Sequence, residues 1–139
     1  MLKGIDPLLT PDLLRLLAQM GHGDVLAVVD RNYPAHASGA PVVELPGADV
    51  ATALRAILAL LPVDTFIDPP AWHMLTDAGV PGPAVPAVQA ALDAAEGRAV
   101  PFAGVARPDF YVAARDAYAV VRTSETLPYA CVLLAKGVV

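Results

Sequence analysis

Cysteine is nearly absent from this 139-residue chain, with Cys131 standing alone. No internal disulfide can form, which fits a reducing compartment. Positive charge is sparse too. Nine Lys and Arg face fourteen Asp and Glu, a net charge of −5, and the basic residues are scattered from Lys3 to Lys136. A phosphate backbone is bound through a basic patch, so nucleic acid is an unsuitable partner. Long apolar runs are missing as well. Leu54 to Leu61 is interrupted by Arg55 and stopped by Pro62, well short of the roughly 18 residues a membrane span needs. The opening residues Met1-Leu2-Lys3-Gly4-Ile5-Asp6-Pro7 lack the apolar run and cleavage site of a signal peptide. A soluble cytoplasmic protein is expected. Neither the Gly-x-Gly-x-x-Gly pattern nor a P-loop occurs, and no paired-histidine helix or cysteine set marks a metal site. No cofactor and no metal are expected.

What is present is apolar material. Hydrophobic residues make up 56% of the chain and charged residues 17%, enough for the core of one domain over residues 1–139, with a surplus suited to subunit contacts. Thr10-Pro11-Asp12 opens a helix, with Thr10 as N-cap and Pro11 in the first turn. Leu13, Leu14, Leu16, Leu17 and Met20 form its apolar face, and Gly21 is suited to end it in the left-handed conformation. Val25 to Val29 reads as a strand buried on both faces, with Asp30 at its end. Further strands are predicted over 42–45, 63–67, 100–105, 118–121 and 132–134, and further helices over 49–61, 84–96 and 108–117. The Gly- and Pro-rich stretch 79–86 is a loop within the domain. Strands alternating with helices imply an α/β fold, a three-layer α/β/α sandwich around a mainly parallel sheet. Ligands in such folds lie beyond the carboxyl ends of the strands.

The residues able to carry chemistry follow from this layout. His22 lies between Gly21 and Gly23, and Asp30 follows eight residues later. An imidazole exchanges protons near neutral pH, and a nearby carboxylate makes an acid/base pair with it. The plain alternative is a solvated turn histidine and a capping aspartate. A metal site from His22, Asp24, Asp30 and His36 has no supporting motif. Cys131, beside Val132 and Leu133, reads as a buried small residue rather than a nucleophile. Trp72 either stacks on a sugar or fills the core. Arg107 at a helix start and Tyr129 before the last strand are either ligand contacts or surface and loop residues.

Taken in order, these residues resemble the sugar mutarotase family of L-fucose mutarotase and D-ribose pyranase. The N-terminal block is Met1-Leu2-Lys3-Gly4, Leu13-Leu14, Met20-Gly21-His22-Gly23-Asp24, Asp30, Pro34-Ala35-His36 and Gly39. Leu60 to Thr65 follows. The C-terminal third adds Arg107, Phe110-Tyr111, Ala114-Arg115, Ala117 to Val121, Thr123, Glu125, Tyr129 and Lys136-Gly137-Val138. The resemblance spans nearly the whole chain, with residues 78–103 matching loosely, and is closer to the fucose branch. It implies an isomerase that interconverts the anomers of a monosaccharide and assembles as a homo-oligomer, often a decamer, with sites near subunit boundaries. It implies His22 as the catalytic acid/base and Asp30, Arg107, Tyr129, Ala130 and Cys131 as sugar contacts.

The family usually has Asn where this chain has Cys131. An amide donates and accepts hydrogen bonds well, a thiol only weakly. Losing such a contact costs on the order of 1 kcal/mol or more, so the departure favours either a substrate other than fucose or a weakened site. Ribose, with pyranose–furanose exchange, is the alternative substrate. A sugar-binding protein without catalysis and an oligomer with a vestigial pocket are the alternatives of other classes.

Overall fold

A computed structural model describes residues 1–139. Helix α1 spans Pro11–Gln19, with the Thr10 side chain accepting from the Leu13 backbone N–H as its sequence predicts. It buries Leu13, Leu16 and Leu17, each worth about 1.5–3 kcal/mol when removed from water. It ends differently from expectation. Met20 is extended and Gly21 is not left-handed; the left-handed residue is Gly23, at φ 83°. His22 therefore rides a turn that starts after the helix rather than a helix cap, and Asp24 closes that turn by accepting from the Gly21 N–H at 2.7 Å.

The remaining elements are β1 (Val25–Val29), a 3-10 turn (Ala35–Ala37), β2 (Val42–Leu45), α2 (Val50–Leu58), β3 (Ala71–Met74), α3 (Val85–Glu96), β4 (Phe102–Val105), α4 (Arg107–Arg115), β5 (Ala119–Thr123) and β6 (Val132–Ala135). Gly97 ends α3 in the left-handed conformation. The strands form one sheet in the order β2-β5-β1-β6-β3-β4. β2, β5 and β1 run parallel, as do β3 and β4, while β6 runs antiparallel between β1 and β3. The sheet is thus mainly parallel, as expected.

Alternation along β1 divides the interior into two layers. Leu26 and Val28 join the larger core, shared with residues of α1, α2 and α3. Ala27 and Val29 join the smaller one, with Phe110 and Ala114 of α4 and Tyr33. This is the three-layer sandwich.

One predicted strand does not form. Residues 63–67 make only an isolated bridge, Val63 to Lys136, and the strand comes later, at Ala71–Met74. The β-branched and aromatic residues of 63–67 suggest a strand, but the Asp64 carboxylate accepts from the Ile67 N–H at 2.9 Å. That local bond gives the backbone a turn in place of a ladder. Trp72 lies on β3, partly buried against the smaller core, which favours the packing reading.

Candidate active site

The direction of β1 decides how the candidate residues are distributed. His22 precedes the strand and Asp30 follows it, so they lie at opposite edges of the sheet. From Asp24 to Asp30 the chain climbs about 20 Å at about 3.3 Å per residue. The two side chains cannot pair within one chain, and the expected pair of His22 with Asp30 is not formed there.

At the amino edge, the carboxylate against His22 is Asp64. His22 Nε2 lies 2.9 Å from Asp64 Oδ1. A carboxylate only accepts, so Nε2 carries the proton and a neutral His22 keeps its lone pair on Nδ1. Asp64 is fully buried, while the His22 side chain is 44% exposed. Burial pushes the Asp64 carboxyl up, but the His22 hydrogen bond and the Phe66 and Ile67 backbone N–H groups together hold it below its ordinary 3.8. An ionised, immobile carboxylate thus fixes the tautomer and orientation of a half-exposed imidazole.

The local backbone is built for this contact. A Cβ at Gly137 would lie 2.8 Å from the Val63 carbonyl oxygen and 2.9 Å from Asp64 Cα, so only glycine lets the segment after β6 lie flat on the Asp64 turn. The Gly137 N–H then donates to the Pro62 carbonyl at 2.8 Å. Phe66 meets the His22 ring edge-on at 5.1 Å. His22 lines one wall of an open groove of about 670 Å³, with Leu2, Leu14, Leu17, Leu60 and Val138 among its apolar neighbours. Lys136 also lines it, its ammonium held on the Met20 carbonyl.

The other five candidates meet at the carboxyl edge. β6 starts there, so Tyr129, Ala130 and Cys131 arrive beside the end of β1. Asp30 is 8% exposed; its Oδ1 accepts from the Asn32 N–H at 2.9 Å and its Oδ2 from the Cys131 thiol at 3.5 Å. Cys131 is 2% exposed. Burial, reinforced by the Asp30 carboxylate, pushes its thiol well above its ordinary value. It stays a protonated donor, which removes the nucleophile reading. Arg107 opens α4 at the end of β4, and its Nε donates to Asp77 Oδ1 at 2.9 Å. Tyr129 has φ 57°, a strained conformation for a bulky residue that costs about 1–3 kcal/mol and is typical of functional positions.

Glu125 holds this edge together. Only 7% exposed, its carboxylate accepts from Val50, the first residue of α2, and from Thr126 and Leu127. Its own carbonyl accepts from the Arg31 N–H. No three His, Cys, Asp or Glu side chains converge as a metal site; Asp24 is at the amino edge with His22, and His36 bonds Glu44 on the surface at 2.8 Å. Asp64 and Asp77, the carboxylates that contact the candidates His22 and Arg107, are the residues that a reading of the sequence missed. Asp64 was visible only as part of a family block, and its partner is 42 residues away.

The chain matches the model of the RbsD / FucU transport protein family over residues 3–139. It belongs to that family. The L-fucose mutarotase of Actinobacillus pleuropneumoniae serotype 5b is 40% identical over 143 residues, covering 99% of this chain and 97% of that protein. The crystal structure of the fucose mutarotase from Streptococcus pneumoniae in complex with L-fucose superposes with a TM-score of 0.92 at 33% identity, covering 99% of both chains. FucU from Bifidobacterium longum superposes with a TM-score of 0.93 at 37% identity, again over 99% of both chains. Both solved relatives share the sandwich described above. No helix of this RbsD / FucU family member is long and apolar enough to cross a membrane.

Proposed function

We propose that this chain is a monosaccharide mutarotase acting on L-fucose, and that its active site is completed between two copies. The observation that carries the catalytic reading is the His22–Asp64 contact at 2.9 Å, with Asp64 fully buried. The likeness to the two fucose mutarotases supports the substrate.

Mutarotation opens a cyclic hemiacetal and recloses it on the other face. A base takes the anomeric hydroxyl proton as the C1=O1 bond forms. The C1–O5 bond breaks and O5 receives a proton. Reclosure reverses both transfers. No carbon is oxidised or reduced overall, so the reaction calls for no redox cofactor. His22 Nδ1 is the free lone pair for the first transfer, and Asp64 stabilises the imidazolium that results. An oriented base of this kind contributes about a hundredfold to ten-thousandfold. Tyr129 is the proposed relay at the ring oxygen. Asp30, Arg107 and the Tyr129-Ala130-Cys131 segment hold the hydroxyls.

These groups occupy opposite edges of one subunit, so the proposal requires a neighbour. The apolar groove beside His22, with Leu2, Leu60, Val138 and Val139 exposed along it, supports a subunit contact. One edge meeting a different edge is a head-to-tail contact, which is finite only if it closes into a ring. We propose a homo-oligomer built on such rings, a decamer, acting in the cytoplasm, where the lone buried Cys131 stays reduced. Anomer exchange measured by saturation-transfer NMR, with L-fucose and D-ribose offered separately, tests this. Fast fucose exchange that disappears in His22→Ala is the expected result. Full activity in folded His22→Ala refutes the assignment, and exchange of ribose alone moves the substrate to the pyranase type.

One observation favours a second reading. The Cys131 thiol donates to Asp30 and is a poor replacement for an amide. Sugar binding without accelerated exchange would make the chain a binding protein.

A further inference from the structure

The segment after β3 is folded tightly on itself and touches two of the proposed sugar contacts at once. Leu75 donates to the Val105 carbonyl at 2.8 Å, Gly79 to the Thr76 carbonyl at 2.8 Å, and Thr76 to the Val80 carbonyl at 2.9 Å. Leu75 and Pro81 bridge across the base. From this stub Asp77 takes the Arg107 Nε–H at 2.9 Å. At its far end Gly82 lies flush on Tyr129. A Cβ there would stand 3.2 Å from Tyr129 Cβ and 3.5 Å from the Pro128 carbonyl oxygen, beside the residue held at φ 57°.

We propose that residues 75–82 form a clamp that sets Arg107 against Tyr129, with Asp77 as the positioning residue for sugar binding. Asp77 sits in a turn locked by its own hydrogen bonds, so its carboxylate is a fixed reference for a long, flexible arginine. The Arg107 guanidinium, and after it the Tyr129 hydroxyl, hold the Asp77 carboxyl below its usual range. Tyr111 reaches the same guanidinium from α4. The pair is solvent-exposed, with Asp77 63% and Arg107 43% accessible, and exposed ion pairs contribute little to stability. Its place beside the sugar contacts is therefore better explained by orientation than by folding. This inference rests on the mutarotase reading and goes beyond it by assigning Asp77 and Gly82.

The experiment is fucose exchange as a function of sugar concentration for wild type, Asp77→Ala, Asp77→Asn, Asp77→Glu, Arg107→Ala and the Asp77→Ala/Arg107→Ala pair. Loss of the clamp raises KM by about tenfold, with kcat within about threefold of wild type, because an arginine that holds a sugar hydroxyl equally in the ground and transition states contributes uniform binding. Asp77→Asn behaves like Asp77→Ala, and Asp77→Glu recovers most of the affinity. Adding Asp77→Ala to Arg107→Ala has no further effect, as expected of one coupled unit. Unchanged KM in Asp77→Ala, a fall in kcat alone, or additive effects in the double variant overturns the inference while leaving the mutarotase reading intact. A wild type that exchanges no sugar overturns the mutarotase reading, and this inference with it.

Discussion

Mixing two dead variants gives the sharpest test of a site shared between copies. His22→Ala removes the proposed proton-transfer group at the amino edge, and Asp30→Ala removes the buried carboxylate at the carboxyl edge. The five residues of β1 separate them. A separation of about 20 Å along the strand cannot be closed by two short side chains of one chain, so under the shared-site proposal each working site would draw His22 from one copy and Asp30 from its neighbour. If the variants are unfolded together and refolded as mixed oligomers at equal amounts, half the His22 positions and half the Asp30 positions are intact. Chance combination restores about one site in four at a head-to-tail contact. Each variant alone should have almost no activity, while the mixture should recover about a quarter of the wild-type exchange rate. Saturation-transfer NMR on fucose reads this directly, and light scattering on the mixture verifies that oligomers have reformed. No recovery in a properly mixed, full-size oligomer would refute the shared site and the reasoning from strand direction.

Asp64→Asn, with its amide oxygen kept on the Ile67 N–H to hold the turn, should turn an NH2 group toward His22 in place of the acceptor for its proton, lowering kcat far more than it raises KM. Its acid behaviour is also fixed in sign. The folded-state value lies below 3.8, so the ionised group stabilises fully above about pH 4 and that contribution is lost as pH falls through the lowered value. Denaturation midpoints of wild type and Asp64→Asn should therefore converge in acid. His73 on β3 is 5% exposed, and its Nδ1 has no hydrogen-bond partner. Burial pushes its pKa below 6.5, so the unfolded chain binds its proton first and stability falls as pH drops below about 6.5. His73→Met should remove that component and gain about 1 kcal/mol in urea melts; a loss of stability would show that the imidazole has a partner. Glu125→Ala strips an acceptor from three backbone N–H groups and should cost about 3 kcal/mol or more in thermal unfolding, with Asp30 and the neighbouring edge loosened.

Much of the architecture was legible because it is local. Thr10-Pro11 and Gly97 mark ends of helices by their own backbone chemistry, and the apolar run of Val25–Val29 marks an interior strand. The exchange of 63–67 for 71–74 shows the limit. Valine, threonine, phenylalanine and isoleucine have strand propensity, but an aspartate that accepts from a backbone N–H three residues on overrules it. At the site, the rule that ligands gather at strand carboxyl ends fits Asp30 after β1 and Arg107 after β4, whereas Tyr129 precedes its strand and reaches the same edge only because β6 is antiparallel. The same rule, applied to His22, misplaces it, because His22 precedes β1 and lies at the amino edge. Asp64 and Asp77 stayed hidden because their partners lie 42 and 30 residues away in sequence.

The antiparallel β6 also governs how the chain assembles itself. It is the latest strand in chain order, yet it lies inside the sheet, between β1 and β3. Without the residues after 131, the strand pairings of the sheet fall into two separate parallel ladders, β2-β5-β1 and β3-β4. Each would present a short apolar edge, β1 or β3, with unpaired backbone groups of the kind that recruits other strands. The last strand is thus a closing seam. When it zips in, it joins the ladders, hides both edges, and in the same step delivers Tyr129 to one end of the sheet and Gly137 to the other. A chain in which that seam is open has both ladder edges available for mispairing, and closing it places both groups of candidate site residues.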